Sequence, residues 1–146
     1  MMPHTHVSRE QKVARFHRAM GLDIDSVPRV SLLQLRKKLI LEEAYEVCEA
    51  IDVLEMELER GKKGSVDQWA HLMKELCDLQ YVLSGIIISL HPIYGNFSPA
   101  FNRVHHSNMS KLDNEGKPLY DSNGKVLKGP NYKPPDLTDL VEGIYI

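Results

Sequence analysis

Leu39-Ile40-Leu41-Glu42-Glu43-Ala44-Tyr45-Glu46, answered one helix later by Lys74-Glu75-Leu76-Cys77-Asp78, decides how this chain is read. Both stretches lie inside long helical patterns, and both carry acids where the pattern calls for apolar side chains. At about 100° per residue, Leu32, Leu35, Leu39, Ala50 and Val53 share an apolar arc that Ile40, Val47, Ile51 and Leu58 continue. Glu43 and Glu46 fall inside the arc, and Glu42 and Glu49 on its rim. Asp52, Glu55 and Glu59 point away, as solvated acids should. In the second helix Leu72, Leu79, Val82, Ile86 and Leu90 form the stripe, with Glu75 within it and Asp78 at its edge. One such acid alone reads as a solvated residue, because glutamate is a good helix former. Paired breaches on adjacent helices need another cause.

Side chains three apart share a helix face, so E-x-x-E and E-x-x-D can converge on one point. An unpaired carboxylate in an apolar stripe is costly enough to protonate instead of ionise, and the stripes hold too few lysines or arginines to neutralise four or five acids. A hard divalent cation does so with carboxylate oxygens alone, and Mg²⁺ is the usual one where phosphates complete the shell. A ferritin-like site normally needs Glu-x-x-His on two helices; neither Glu46 nor Glu75 has histidine three residues on. H-E-x-x-H is also absent, which argues against a zinc protease. Periodicity therefore gives a bundle with an internal acidic metal site and leaves its chemistry open.

Three S-x-x-Q capping boxes, Ser8 with Gln11, Ser31 with Gln34 and Ser65 with Gln68, each open a helical pattern. They predict helices over about Ser8–Met20, Ser31–Arg60 and Ser65–Leu90, the last two an antiparallel pair across Gly61–Gly64. Ser98-Pro99 predicts a short fourth helix to about His106. Beyond Ser107, glycine and proline punctuate the chain; Lys117–Tyr120 and Lys125–Lys128 could pair as a small hairpin, and Asp136 could cap a last helix toward Val141. No repeat is evident. The expected fold is all-α: a helical bundle of two long and two shorter helices with an irregular C-terminal tail, one domain over 1–146 with its core at about 8–107 and its tail at about 108–146.

The 146 residues suit one compact domain, and a formal charge of −2 leaves no electrostatic footprint for a nucleic acid polymer or an anionic membrane. A nucleotide remains compatible, because a bound cation supplies positive charge locally. The apolar run Val82–Leu90 is too short to span a bilayer, and Met1–Glu10 lacks the apolar core of a secretory signal. Cys48 and Cys77 have no C-x-x-C spacing and read as reduced thiols of a cytoplasmic protein.

Glu42-Glu43-x-x-Glu46 followed by Glu75-x-x-Asp78 resembles the signature of the all-α nucleotide pyrophosphohydrolases: MazG-like enzymes, phosphoribosyl-ATP pyrophosphohydrolases and dimeric dUTPases. Val104-His105-His106-Ser107-Asn108-Met109-Ser110-Lys111, with Gly124–Lys128 and Pro134-Pro135-Asp136-Leu137, is similar to the tail of a MazG-like, dUTPase-related subgroup. Phe16-His17-Arg18-Ala19 resembles that subgroup as well. The resemblance implies that Glu43, Glu46, Glu75 and Asp78 bind Mg²⁺, with Mn²⁺ able to substitute, and that Glu42, with Glu46, prepares the attacking water. It implies cleavage of a (deoxy)nucleoside triphosphate to monophosphate and pyrophosphate, in the control of nucleotide pools. Asn108 and Lys111, and more weakly Arg36 and Lys128, become sugar or phosphate contacts. Phe16 could stack on the base, and Tyr132 and Asn131 could fold over the site, although core and loop roles compete for these three. His105 and His106 read as helix-end residues. The spacing N-x-x-K, where MazG proper has N-x-K, weakens any transfer of base preference. Phosphoribosyl-ATP hydrolysis and a non-catalytic metal-binding helical protein remain as alternatives. Family relatives assemble as dimers or tetramers, so a homo-oligomer is expected.

Overall fold

Two of the three capping boxes form as read, in a computed structural model that describes residues 7–142; the first six residues of the Met1–Glu10 segment lie outside it. Ser8 Oγ accepts from the Gln11 amide at 3.1 Å while Gln11 Oε1 accepts from the Ser8 amide at 2.7 Å. Ser65 and Gln68 repeat the arrangement. They open α1, Arg9–Met20, and α3, Val66–Ser89. Gly21, at φ 68°, ends α1 in the left-handed conformation that glycine adopts without a Cβ penalty.

The third box does not form. Helix α2 runs Val30–Glu59 from an Arg29 cap that makes no side-chain hydrogen bond to the helix, so Ser31 sits inside the first turn. The Arg29 guanidinium forks instead onto the Asp23 carboxylate, both bonds 2.8 Å, and so fixes where the chain enters the helix.

The chain divides into two compact units, 1–91 and 92–146. In the first, α2 and α3 pack as a long antiparallel pair and α1 packs on α3. The segment after α1 runs along the end of α3: the Asp25 and Ser26 amides donate to the Ile88 and Ser89 carbonyls, and the His91 amide to Ser26 O. Those bonds satisfy carbonyls that a helix end leaves bare. Val13, Ala14, Leu32, Val47, Ala50, Leu54, Ile88 and Leu90 form the core. The apolar arc read on α2 is only partly covered: Leu35, Ile51, Val53 and Leu58 are all exposed. The buried face is narrower and includes a charge, Arg36.

In the second unit α4, Ile93–Met109, begins ahead of the expected Ser98-Pro99 start and carries Pro99 inside it. Asn96 helps to hold the early turn by donating to the carbonyls of Pro92 and Leu140. Helix α5 is the short Thr138–Val141, with Asp136 Oδ1 accepting from the Thr138 amide ahead of it. The hairpin expected near Lys117–Lys128 reduces to one antiparallel bridge, Tyr120 to Val126; no strand forms among the described residues. Pro118 has no amide to extend the ladder.

The tail contains a repeat after all. Asp113-Asn114-Glu115-Gly116-Lys117-Pro118-Leu119-Tyr120 and Asp121-Ser122-Asn123-Gly124-Lys125-Val126-Leu127-Lys128 share aspartate, glycine, lysine and leucine in register. Each aspartate Oδ1 accepts from the amides two and four residues on, at 2.8–2.9 Å. Each aspartate amide donates to the lysine carbonyl, and each glycine, at φ 74° and 79°, donates back to the aspartate carbonyl. Two turns of one design follow each other.

Candidate metal centre and nucleotide site

The acids that break the helical patterns meet on the seam between α2 and α3. Glu43, Glu75 and Asp78 each place one carboxylate oxygen within 4.8 Å of the other two. Glu75 is 3% exposed. Its Oε1 has Lys74 Nζ at 3.2 Å and His71 Nδ1 at 3.5 Å, but its buried Oε2 has no partner, and neither has Glu43 Oε2. Burial raises the Glu43 pKa above the usual carboxylate range, and Glu46, Asp78 and Glu75 push it the same way. Glu46 is exposed to solvent, and the cluster that forms is Glu43, Glu75 and Asp78; Glu46 reaches it through its charge, which helps to raise the Glu43 pKa.

One cation stands against these acids. Lys74 Nζ is 2.7 Å from Asp78 Oδ2, and hydrogen bonds to Asp78 and Glu75 hold its pKa above the ordinary lysine value. Its side chain is 62% exposed, so it approaches from solvent and leaves the buried oxygens bare. A buried acceptor without a donor costs about 1–3 kcal/mol, and more when charged. Two such oxygens beside a third carboxylate fit a hard cation ligated by oxygen alone.

The other residues singled out in the sequence are not members of this three-carboxylate group. Glu42 is exposed at the rim, with Lys38 Nζ at 3.9 Å. Phe16 is 39% exposed and meets Tyr81 edge-on, ring centroids 5.5 Å apart. Arg36 is buried in the first unit. In the second unit Asn108 is exposed at the end of α4, and its carbonyl accepts from the Lys111 amide. The Lys111 carbonyl accepts from the Gly129 amide at 2.9 Å, an approach so close that a Cβ on Gly129 would collide with it. Lys128 Nζ lies over the Tyr132 ring, 4.8 Å from its centroid. Asn131 donates to the Asn114 side chain at 2.7 Å, and His105 packs on His106. Cys48 and Cys77 are exposed free thiols.

Two neighbours of the cluster received no role in the sequence reading. His71 stands four residues before Glu75 and Lys74 four before Asp78, a spacing that makes helix neighbours.

The chain matches the Phosphoribosyl-ATP pyrophosphohydrolase family over residues 13–108. It belongs to that family. The match takes in both acidic stretches and ends at Asn108, before Lys111 and the two tail turns. Membership makes the chain a pyrophosphohydrolase of the MazG-like all-α superfamily, acting on a nucleotide-like substrate with a divalent metal. No curated protein matches it. Among the described residues no helix is long and apolar enough to cross a membrane.

Proposed function

We propose that this pyrophosphohydrolase cleaves a (deoxy)nucleoside triphosphate between its α and β phosphorus atoms, releasing nucleoside monophosphate and pyrophosphate. The observation that carries the reading is the pair of buried oxygens without donors, on Glu43 and Glu75, beside Asp78. Glu43, Glu46, Glu75 and Asp78 would hold Mg²⁺, or Mn²⁺ in its place. Bound there, the ion supplies charge neutralisation for a phosphoryl transfer that needs positioning more than covalent chemistry.

The remaining roles fall to the chain itself. Glu42, exposed and next to Glu43, orients the attacking water, and Glu46 shares the removal of its proton. Asn108, Lys111 and Lys128 contact sugar or phosphate, Tyr132 and Asn131 cover the nucleotide, and Phe16 offers a ring to the base. These assignments treat 1–146 as one catalytic domain. The exposed Leu41, Tyr45, Ile51, Val53, Met56 and Leu58 on α2 favour a homodimer or homotetramer in which a second copy covers them. The free thiols suit a cytoplasmic enzyme.

Phosphoribosyl-ATP is the second reading, favoured by the family match itself. The tail beyond residue 108 lies outside that match and carries part of the resemblance to the triphosphate-cleaving subgroup; Val104–Asn108 and Phe16–Ala19, which also carry it, lie inside the match. Pyrophosphate release with Mg²⁺ from dUTP, dCTP, dGTP and phosphoribosyl-ATP decides between them. Turnover of a deoxynucleotide and not of phosphoribosyl-ATP is expected; the reverse pattern selects the second reading. Release from none of them would overturn both substrate readings.

A further inference from the structure

Seven residues before Glu43, two helical turns and about 10.5 Å along α2, Arg36 presents the opposite problem. It is 4% exposed, and its buried Nε has no acceptor. Its surroundings leave room for the guanidinium and do not neutralise it. On α3 the facing residue is Gly85, where a Cβ would come within 2.9 Å of Arg36 Nη1 and 3.5 Å of His17 Nε2. The acid whose charge acts on it, Asp23, is already taken by the Arg29 fork and by Ser26 Oγ at 3.0 Å. His17 adds no charge: burial lowers its pKa, and Nδ1 lies 2.7 Å from the Asp23 carbonyl. That contact puts the proton of the neutral ring on Nδ1. Burial also lowers the Arg36 pKa, with only the charge of Asp23 opposing.

Gly85 follows Asp78 by the same seven residues that separate Arg36 from Glu43. In an antiparallel pair this makes two rungs of one seam, Glu43 with Asp78 and Arg36 with Gly85. We infer that Arg36, in the space left by Gly85 and beside His17, is a phosphate subsite that receives the terminal phosphate of the substrate and then of the leaving pyrophosphate. The inference rests on the triphosphate reading above. A neutral base carbonyl would leave a full buried charge uncompensated, whereas an oxyanion neutralises it and accepts its forked donors. The separation of the rungs, shortened by the reach of the arginine side chain, is on the scale of a triphosphate chain. Held at both ends, the substrate would be cut at the acidic rung.

The test compares Arg36→Lys and Gly85→Ala with the wild-type chain. The lysine variant loses the fork while keeping the charge. The alanine variant keeps the arginine but displaces the tip of its flexible side chain, so a folding failure in one leaves the other. Calorimetry would follow a non-hydrolysable triphosphate analogue, the matching monophosphate, pyrophosphate and inorganic phosphate, the last two also in chelator. Triphosphate analogue and pyrophosphate should weaken by about tenfold or more, with monophosphate unchanged. Inorganic phosphate should respond as pyrophosphate does if the subsite takes a free oxyanion, and not at all if it needs the substrate chain. Equal losses for mono- and triphosphate would place Arg36 at the base or sugar and overturn the assignment, as would no loss in either variant. Arg36-dependent pyrophosphate binding without hydrolysis of any triphosphate would sink the proposed function and leave the subsite standing. Normal hydrolysis with unchanged variants would do the opposite.

Discussion

Midway along the α2–α3 seam, Glu43 and Glu75 each bury an oxygen that no donor reaches; two turns away, Arg36 buries a nitrogen that no acceptor reaches. The signs are opposite and the physical condition is the same. Elsewhere the chain satisfies its charges locally: Arg29 forks onto Asp23, and Arg103 onto Asp139. Those pairs are structural and complete in themselves. The seam instead keeps charges of both signs apart within one packed element, which teaches where a ligand carrying its own cation and its own anion would lie.

The hardest blow to the acidic end is Glu75→Gln. Losing a metal ligand should lower pyrophosphate release by on the order of a hundredfold or more, since even outer-shell partners cost ten- to a hundredfold. The metal-free fold should hold, because a charge is removed from a crowded acidic cluster. Circular dichroism and pyrophosphate release on the same sample check both, and full activity would end the metal-site assignment.

Next in size is stabilisation by the metal. At a hundred times its dissociation constant, one bound Mg²⁺ adds about 2.7 kcal/mol, or several degrees of melting temperature in a domain of this size. Sodium chloride at matched ionic strength should do much less, because screening acts weakly on buried groups. Thermal scans in chelator, sodium and magnesium, repeated with Asp78→Asn, would show it. A magnesium shift no larger than sodium's, or one that survives the substitution, returns the acids to ordinary surface chemistry.

The seam can also be set against the tail. Lys111→Ala should weaken a non-hydrolysable nucleotide by about ten- to a hundredfold, the loss of a charge-assisted contact of ~1.5–3 kcal/mol, with Mg²⁺ affinity unchanged. Calorimetric titration measures both. Unchanged nucleotide affinity would make the tail purely structural.

The smallest effect belongs to the completed pair. Hydrogen bonds from Arg29 lower the Asp23 pKa from 3.8 to about 2. A depressed acid adds stability above its unfolded pKa and loses it as pH falls through the folded one. Asp23→Asn should therefore destabilise the chain slightly at neutral pH and flatten its acid melting curve between about pH 4 and pH 2. Chemical denaturation at stepped pH checks this; identical curves would mean that the pair does not set the entry to α2.

The sequence disclosed more of the seam than of its surroundings. Glu75 and Glu43 were legible because a carboxylate inside an apolar stripe stands out against helical periodicity. Ser8 and Ser65 were legible because a capping box is local. Ser31 looks identical on paper, but Asp23, eight residues upstream, holds Arg29 and moves the start of α2. Pro99 resembled a first helical residue, and contacts made by Asn96 place it inside α4. Arg36 read as a weak phosphate contact; its burial depends on Gly85, forty-nine residues away, which no local pattern links to it. Leu35 and Val53 read as core, yet the two partner helices of one chain do not cover them.

The bond from the Gly129 amide to the Lys111 carbonyl joins the two ends of the segment that holds both tail turns. Leu112–Lys128 is therefore a closed excursion whose base is pinned independently of its length. Each eight-residue turn carries its own aspartate-centred hydrogen bonds, and the Leu127 amide, donating to the Leu119 carbonyl, ties the second turn to the first. A peptide inserted between Tyr120 and Asp121 would part the Tyr120–Val126 bridge and lengthen the excursion, while the Gly129–Lys111 bond at its base involves neither residue.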